Sequence, residues 1–409
     1  METEARDLRT GKTVWEARPL LSLPVQPLIK DIKTDVLIVG AGTSGAFMAE
    51  ALTDAGLDVA VVDRRGPAEG ATTASTALIE YEIDTPIIEL AKKIGLAKAE
   101  RAWKRSHLAL TSLAARTRAL GIDCAQTRRD NLYLAGNMLD AKGLEREWAA
   151  RRAIGIETVL LSRKDVKERF GISRQAALLS FDDLSCDPRQ LAVGYLDVAA
   201  KRGARLFSPV TVMDVKGSGK QLTVKTQEGP RILCRHIVFC TGYELPDHVP
   251  KRGHSIISTY AIATRQQRDN LWPGECFIWE ASDPYLYIRT SPEGRVICGG
   301  EDEEFEDEAK RDARLDRKTA VLERKLKKLL PDLDTKAEFA WTGSFGTTAT
   351  GLPTVDQIPK YPHRWFVLGF GGNGITYSRL GADIVRAALT GKRDPDADLY
   401  ALGGPARTR

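Results

Sequence analysis

Apolar positions along this chain follow two rhythms. Short unbroken runs rich in β-branched residues, at 35–39, 58–62, 236–240 and 365–368, read as strands buried on both faces. Longer stretches carry helical patterning, at 86–94, 98–120, 140–153, 164–170, 309–330 and 378–389. Asp187 followed by Pro188 marks one more helix start, an N-cap acid before a proline at the first helical position, and that helix runs to about 202. Between these lie strand-like segments at 130–135, 204–207, 211–215, 222–226 and 231–233. From 255 to 300 the pattern becomes alternation with aromatics, which predicts antiparallel sheet with a hairpin turn at Ser291-Pro292-Glu293-Gly294, and 338–342 reads as a further strand.

The order of these signals predicts the architecture. Parallel α/β patterns stand at the start, middle and end, with antiparallel strands between them. The expected fold is α/β: a discontinuous Rossmann-like nucleotide domain (34–105, 185–245 and 340–395) carrying an inserted antiparallel-sheet α+β substrate domain (106–184 and 246–339). Residues 1–33, with Pro19, Pro24 and Pro27, read as an extended surface arm, and 396–409 as a tail. A chain of 409 residues exceeds the size at which one core stops growing, so two domains are expected on length as well.

The first strand–helix–strand unit carries the chemistry. The run 35–39 ends in Gly40-Ala41-Gly42-Thr43-Ser44-Gly45, an Ala-rich helix closes at Gly56, and the strand 58–62 delivers Asp63. Gly40 permits the tight turn, Gly42 lets backbone approach a pyrophosphate, and Gly45 lets the helix pack closely on the sheet. The unpaired N–H groups at the helix start receive phosphate, and Asp63 is placed for ribose hydroxyls. Arg64 and Arg65 would suit a 2′-phosphate, but the acid before them argues against one. The motif alone leaves FAD, NAD and NADP open.

Composition excludes several classes. The chain is 43% hydrophobic and 28% charged, and no uninterrupted apolar stretch is long enough for a membrane helix. Acids among the bases of METEARDLRTGK argue against a signal peptide. Cys124, Cys186, Cys234, Cys240, Cys276 and Cys298 lack metal-ligand spacing and read as buried free thiols, so no metal is expected and a reducing cytoplasm fits. A net charge of +5 with no aromatic-interleaved basic block argues against nucleic acid. A homo-oligomer is left open. The acidic run 301–308 before the basic helix reads as capping and solvation.

Two further patches carry a resemblance. Ile237-Val238-Phe239-Cys240-Thr241-Gly242 is a strand ending in Thr-Gly, and Phe366-Val367-Leu368-Gly369-Phe370-Gly371-Gly372-Asn373-Gly374-Ile375-Thr376 leads a strand into the last long helix. With the first fingerprint, they make the chain resemble, over about 34–395, the flavin-dependent amine and amino-acid oxidoreductases, the superfamily of D-amino acid oxidase, glycine oxidase and sarcosine oxidase. Its γ-glutamylputrescine-oxidase-like branch is the nearest in pattern. The resemblance implies FAD, with Gly371, Gly372, Asn373, Gly374, Ile375 and Thr376 beside the flavin ring and Val210, Thr241 and Gly242 along the cofactor. It also implies that the small-residue loop Gly70-Ala71-Thr72-Thr73-Ala74-Ser75-Thr76-Ala77 passes pyrophosphate and flavin, with Thr72, Ser75 and Thr76 as contacts. A helix N-terminus beside the ring would stabilise its reduced, anionic form by about 0.3–2 kcal/mol. The following IEYEID, 79–84, is expected to border the site.

The implied reaction oxidises a C–N bond of an amine or amino acid to an imine, with O₂ or a quinone as electron acceptor. A 2-hydroxy-acid dehydrogenase and a non-catalytic FAD-binding subunit are the alternatives. Candidate pocket residues are Tyr260, Trp279, Tyr285, Tyr287 and Phe345, with Arg289 as a carboxylate clamp or a surface arginine. No catalytic histidine is expected: His107, His236, His248, His254 and His363 are scattered, and only His254, at the start of the inserted sheet, is a candidate. Trp341-Thr342-Gly343-Ser344-Phe345-Gly346 resembles the family's Trp-x-Gly segment but has Phe345-Gly346 where D-amino acid oxidases carry Arg-Pro. Neither this segment nor 70–77 offers a cysteine or histidine to attach the flavin, so FAD is expected to be non-covalent.

Overall fold

Buried strand runs assemble a parallel sheet in the order Val25–Gln26, Arg205–Phe207, Val59–Val62, Ile32–Val39, Arg231–Phe239 and Arg364–Leu368. This computed structural model describes residues 3–403 apart from 218, 220, 248, 250–252 and 359. Val36, Leu37 and Ile38 are wholly inaccessible because both faces of the sheet are covered. On one face lie the helices Thr43–Asp54, Pro188–Lys201 and Gly374–Leu389, which contribute Phe47, Leu52, Tyr195, Leu196 and Leu380 to one core. The rings of Phe47 and Tyr195 meet edge to face at 4.5 Å. Burying a side chain of this size stabilises by about 1.5–3 kcal/mol. The opposite face closes over Leu37, Val39, Val62 and Phe239, helped by the meander Val212–Lys216 and Leu222–Thr226. Asp187 caps its helix as expected, accepting from the backbone N–H of Arg189 and Gln190.

The second sheet runs Arg9–Gly11, Ala337–Thr348, His254–Thr264, Val296–Glu303, Leu286–Thr290, Phe277–Glu280, Thr127–Leu134, Ala176–Ser185 and Leu78–Ile79. Its pairs are antiparallel except Phe277–Glu280 beside Thr127–Leu134. The helix Leu315–Leu329 covers it through Leu322, Leu326 and Leu329.

Several expectations change. The segments at 231–233 and 236–240 are one strand, Arg231–Phe239, because Cys234 and His236 keep pairing with Thr34 and Val36. The last helix begins at Gly374, after a 3₁₀ turn Gly371–Asn373; glycine's poor helix propensity conceals the start. Thr158–Ser162, Ala176–Ser185 and Thr354–Gln357 are strands that periodicity does not single out. The acidic run is split, since residues 301–303 finish the strand Val296–Glu303 and a helix begins only at Glu308.

The arm is also more than a surface strip. Arg9–Gly11 pairs with Trp341–Gly343, and Thr3, Leu8, Val14 and Trp15 are buried. Arg6 and Arg65 meet Glu244 on one side of the cleft, while the Asp7 carbonyl accepts from Arg311 on the other. Ser344 then donates its N–H to the Leu8 carbonyl.

Candidate active site

A cavity of about 240 Å³ lies between the two sheets and is lined by both. At one end stand Gly40, Gly42, Thr43, Ser44, Asp63, Arg64, Val210 and Thr241. At the other stand Glu80, Asp84, Tyr243, Thr259, Trp279, Tyr285, Tyr287 and Phe345. The loop residues Thr72, Ser75 and Thr76, then Gly242 and Gly371, Gly372, Gly374 and Ile375, line the same cavity, as do Thr3 and Leu8 of the arm.

The first end is made by backbone. Gly40 has φ +109°, and a Cβ there would sit 2.3 Å from the Cys240 carbonyl oxygen. A Cβ on Gly45 would lie 1.8 Å from the Gly40 carbonyl, so Gly45 serves packing and does not line the cavity. Asp63 braces the turn: one carboxylate oxygen accepts from Ala41 N–H at 2.7 Å, the other from Arg65 N–H at 2.7 Å and Gly66 N–H at 2.9 Å. Arg64 donates to the Thr3 carbonyl at 3.1 Å and keeps its Nη1 unpaired although buried. The Thr72 hydroxyl accepts from Thr43 N–H at 3.1 Å, drawing the small-residue loop onto the helix start. Ser44 and Ser378 share a hydroxyl hydrogen bond of 2.7 Å, which joins the first helix to the last.

The last helix is fastened differently. Gly372 N–H donates to Asp84 Oδ2 at 2.8 Å, Asn373 Nδ2 to the Glu82 carbonyl at 2.7 Å, and Thr376 Oγ1 to the Glu80 carbonyl at 2.7 Å. Asn373 and Thr376, expected as cofactor contacts, thus spend their side chains on the segment 80–84 and are not cavity-lining. That segment borders the cavity as expected and brings carboxylates with it. Glu80 accepts from Asn131 at 3.0 Å, and Asn131 donates also to Asp183 at 2.8 Å. Burial, reinforced by Glu82 and Asp84, pushes the Glu80 carboxyl well above its ordinary range. Burial raises Asp84 too, against the lowering effect of its bond from Gly372.

The pocket candidates divide. Trp279, Tyr285, Tyr287 and Phe345 line the cavity. Tyr260 does not: its hydroxyl reaches Glu303 at 3.3 Å and the Arg311 carbonyl at 3.4 Å on the helix side of the sheet, and its neighbour Thr259 faces the cavity instead. Arg289 is neither clamp nor surface residue. Wholly buried, its Nη1 donates to the carbonyls of Thr76, Ala77 and Cys186 at 3.2, 2.7 and 3.0 Å, and burial lowers its pKa to about 10. It ties the flavin-loop segment to the sheet.

Asp302 was hidden in the acidic run. On the strand Val296–Glu303, Glu301 and Glu303 pair with Lys318, whereas Asp302 bonds to the hydroxyls of Thr259 and Tyr285. Burial raises its carboxyl to about 6. No local signal reveals this placement: a bulge at Glu301, with φ +59°, breaks the alternation that runs from Ile297 and turns Asp302 to the face strict alternation would deny it. His254 bonds Thr354 at 3.1 Å, His236 and His363 pair with each other, and His248 lies outside the described residues.

The cavity fits a dinucleotide. Its first end is a cradle that a Cβ would fill, with a long helix starting there and an acid behind the turn, and a second long helix starts at Gly374 farther along. The family model described as FAD dependent oxidoreductase matches residues 35–388. The gamma-glutamylputrescine oxidoreductase of Escherichia coli (strain K12) is 23% identical over 384 residues, 90% of this chain and 86% of that protein. Glycine oxidase of Geobacillus kaustophilus (strain HTA426) is 23% identical over 391 residues, 89% of this chain and 95% of that protein. Among solved structures, a glycine oxidase from Geobacillus kaustophilus superposes with TM-score 0.74 at 19% identity, covering 90% of this chain and 98% of the other. An L-amino acid deaminase from Proteus vulgaris does so with TM-score 0.73 at 17% identity, covering 94% and 99%.

Proposed function

The chain belongs to the FAD dependent oxidoreductase family, and on that premise we propose that it oxidises the C–N bond of an amine to an imine, which hydrolyses to a carbonyl product. FAD, when bound, supplies the hydride acceptor. The chain's own residues hold and orient. Gly40, Gly42 and the helix starting at Thr43 would receive the pyrophosphate, Asp63 braces the turn beside them, and the helix starting at Gly374 would offer its positive end to the ring. Tyr243, Trp279, Tyr285, Tyr287 and Phe345 wall the far end and exclude water from the reacting carbon. The cofactor is held without a covalent bond: 70–77 and 341–353 contain no cysteine or histidine, and burial keeps the Cys240 thiol protonated. The six buried free cysteines support a cytoplasmic location.

One observation carries the reading: the aromatic end and the start of the last helix line the same cavity. The test is anaerobic bleaching of the yellow protein by a panel of amines, amino acids and 2-hydroxy acids. Bleaching by amines is expected; bleaching by hydroxy acids alone would replace the reading with a hydroxy-acid dehydrogenase. Aerobic peroxide formation then separates O₂ from a quinone as acceptor.

A further inference from the structure

Resting on the amine-oxidising reading, we propose that the aromatic end of the cavity is a cation-selective substrate site for an organic ammonium without a carboxylate, with Asp84 and Glu80 determining that specificity.

Charge is the first argument. The cations among the described lining residues are Arg64 and Arg65, which stand beside Asp63 at the ribose end, and Arg65 is engaged by Glu244. Asp84 and Glu80 line the opposite end, and among the described residues neither forms an ion pair within 4.0 Å. Neighbouring buried acids are treated otherwise: Glu147 and Glu82 share Arg151 at 3.0 and 3.7 Å. Burial drives both carboxyls toward their neutral form while they lack a counter-charge, so a cation that restores one is favoured there and an anion gains nothing. A substrate carboxylate would find no arginine facing it at this end, since Phe345 and Gly346 occupy one expected position and Arg289 lies outside the cavity, held by the carbonyls of Thr76, Ala77, Cys186 and Thr290.

The walls are the second argument. Tyr243, Tyr285, Tyr287 and Trp279 present ring surface, and Trp279 is fixed by stacking on Tyr133 at 4.0 Å. Aromatic faces stabilise an ammonium and gain nothing from a carboxylate. The third argument is incompleteness. Trp279 is 7% exposed and lines the cavity, yet its Nε1 has no partner. Asp302, behind Tyr285, likewise leaves Oδ1 unpaired. Buried polar atoms are normally satisfied: Asp302 Oδ1 calls for a donor of the kind an ammonium supplies, while Trp279 Nε1–H calls for an acceptor elsewhere on the occupant or on a bound cofactor.

The test compares pairs that differ by one carboxylate, butylamine with 2-aminopentanoate and 1,4-diaminobutane with ornithine, as reductants of the FAD-loaded protein. The amine of each pair is expected to give kcat/KM higher by about tenfold or more, the factor for one charge-assisted hydrogen bond. Calorimetry with tetramethylammonium and with acetate reads binding without turnover, and only the cation is expected to bind. Asp84→Asn keeps an oxygen to accept from Gly372 and is expected to weaken tetramethylammonium by about tenfold. Glu80→Gln provides the second variant should the first fail to fold. Equal or better reduction by the amino acids, or undiminished tetramethylammonium binding in both variants, overturns the proposal and leaves amine oxidation standing. Should no compound reduce the flavin, the amine-oxidising reading falls, and preference for tetramethylammonium over acetate still decides the charge of the site.

Discussion

The two ends of the cavity are built on opposite principles. At the ribose end main chain does the work: Gly40, Gly42, the helix start at Thr43 and the N–H groups gathered by Asp63. At the aromatic end side chains do it, drawn from strands far apart in sequence, with carboxylates that the protein leaves without counter-ions. A backbone cradle suits a dinucleotide whatever the substrate, because glycine spacing and helix polarity admit few alternatives. A side-chain box is free to change with the substrate.

The sharpest break is Gly40→Val. With φ +109° and a Cβ 2.3 Å from the Cys240 carbonyl, the variant is expected to lose FAD altogether. Flavin absorbance per protein checks this, and retained yellow colour with native affinity would remove the backbone account of that end. Arg289→Ala should follow, costing about 3–5 kcal/mol by stranding the carbonyls of Thr76, Ala77, Cys186 and Thr290. Because Arg289 does not face the cavity, thermal unfolding should register the loss while the ratio of kcat/KM for butylamine over 2-aminopentanoate stays fixed. A changed ratio would restore it as a substrate clamp.

Trp279→Phe removes an unpaired N–H and keeps the ring. Stability is expected to shift by less than about 1 kcal/mol, with the change appearing in KM instead. Last comes pH. Asp302 ionises near 6, so its negative charge behind Tyr285 is present above that value and lost below it. Affinity for tetramethylammonium should therefore weaken severalfold as pH falls through about 6, and Asp302→Asn should shrink that step, leaving the part that Glu80 and Asp84 contribute. Folding has the opposite sign. The native carboxyl binds its proton more tightly than the unfolded one, so Asp302 favours the native state increasingly as pH falls from 6 toward 4.

The same contrast governs what was legible in the residues alone. Gly40, Gly42, Thr43, Ser44 and Asp63 all lie within one strand–helix–strand unit, and their roles follow from local spacing. Tyr260 and Thr259 are adjacent, and only the pairing of His254–Thr264 between two neighbours decides which faces the cavity. Arg289 shares its strand face with Tyr287, as alternation requires, but lies two residues nearer the end, under Trp15 of the arm, whose ring its guanidinium covers at 5.3 Å. Asp302 read as solvated charge because it stands in an acidic run before a basic helix, and the bulge at Glu301 that turns it inward leaves no mark in the local pattern. Glu80 and Asp84 had the right neighbourhood and no assigned role. Long-range packing, not local pattern, makes a substrate pocket.

The arm has a temporal consequence. Residues 3–11 leave the ribosome early, yet their partners are Pro246, Glu308, Arg311 and the strand at 341–344. Their docking therefore waits for more than 300 residues of later synthesis, among the highest-separation contacts in the chain. Until then Thr3 and Leu8 are absent from the cavity rim, and the growing chain presents an open cleft. A segment made before its partners thus docks only once the strand at 341–344 exists, and it is among the last contacts of the fold to form.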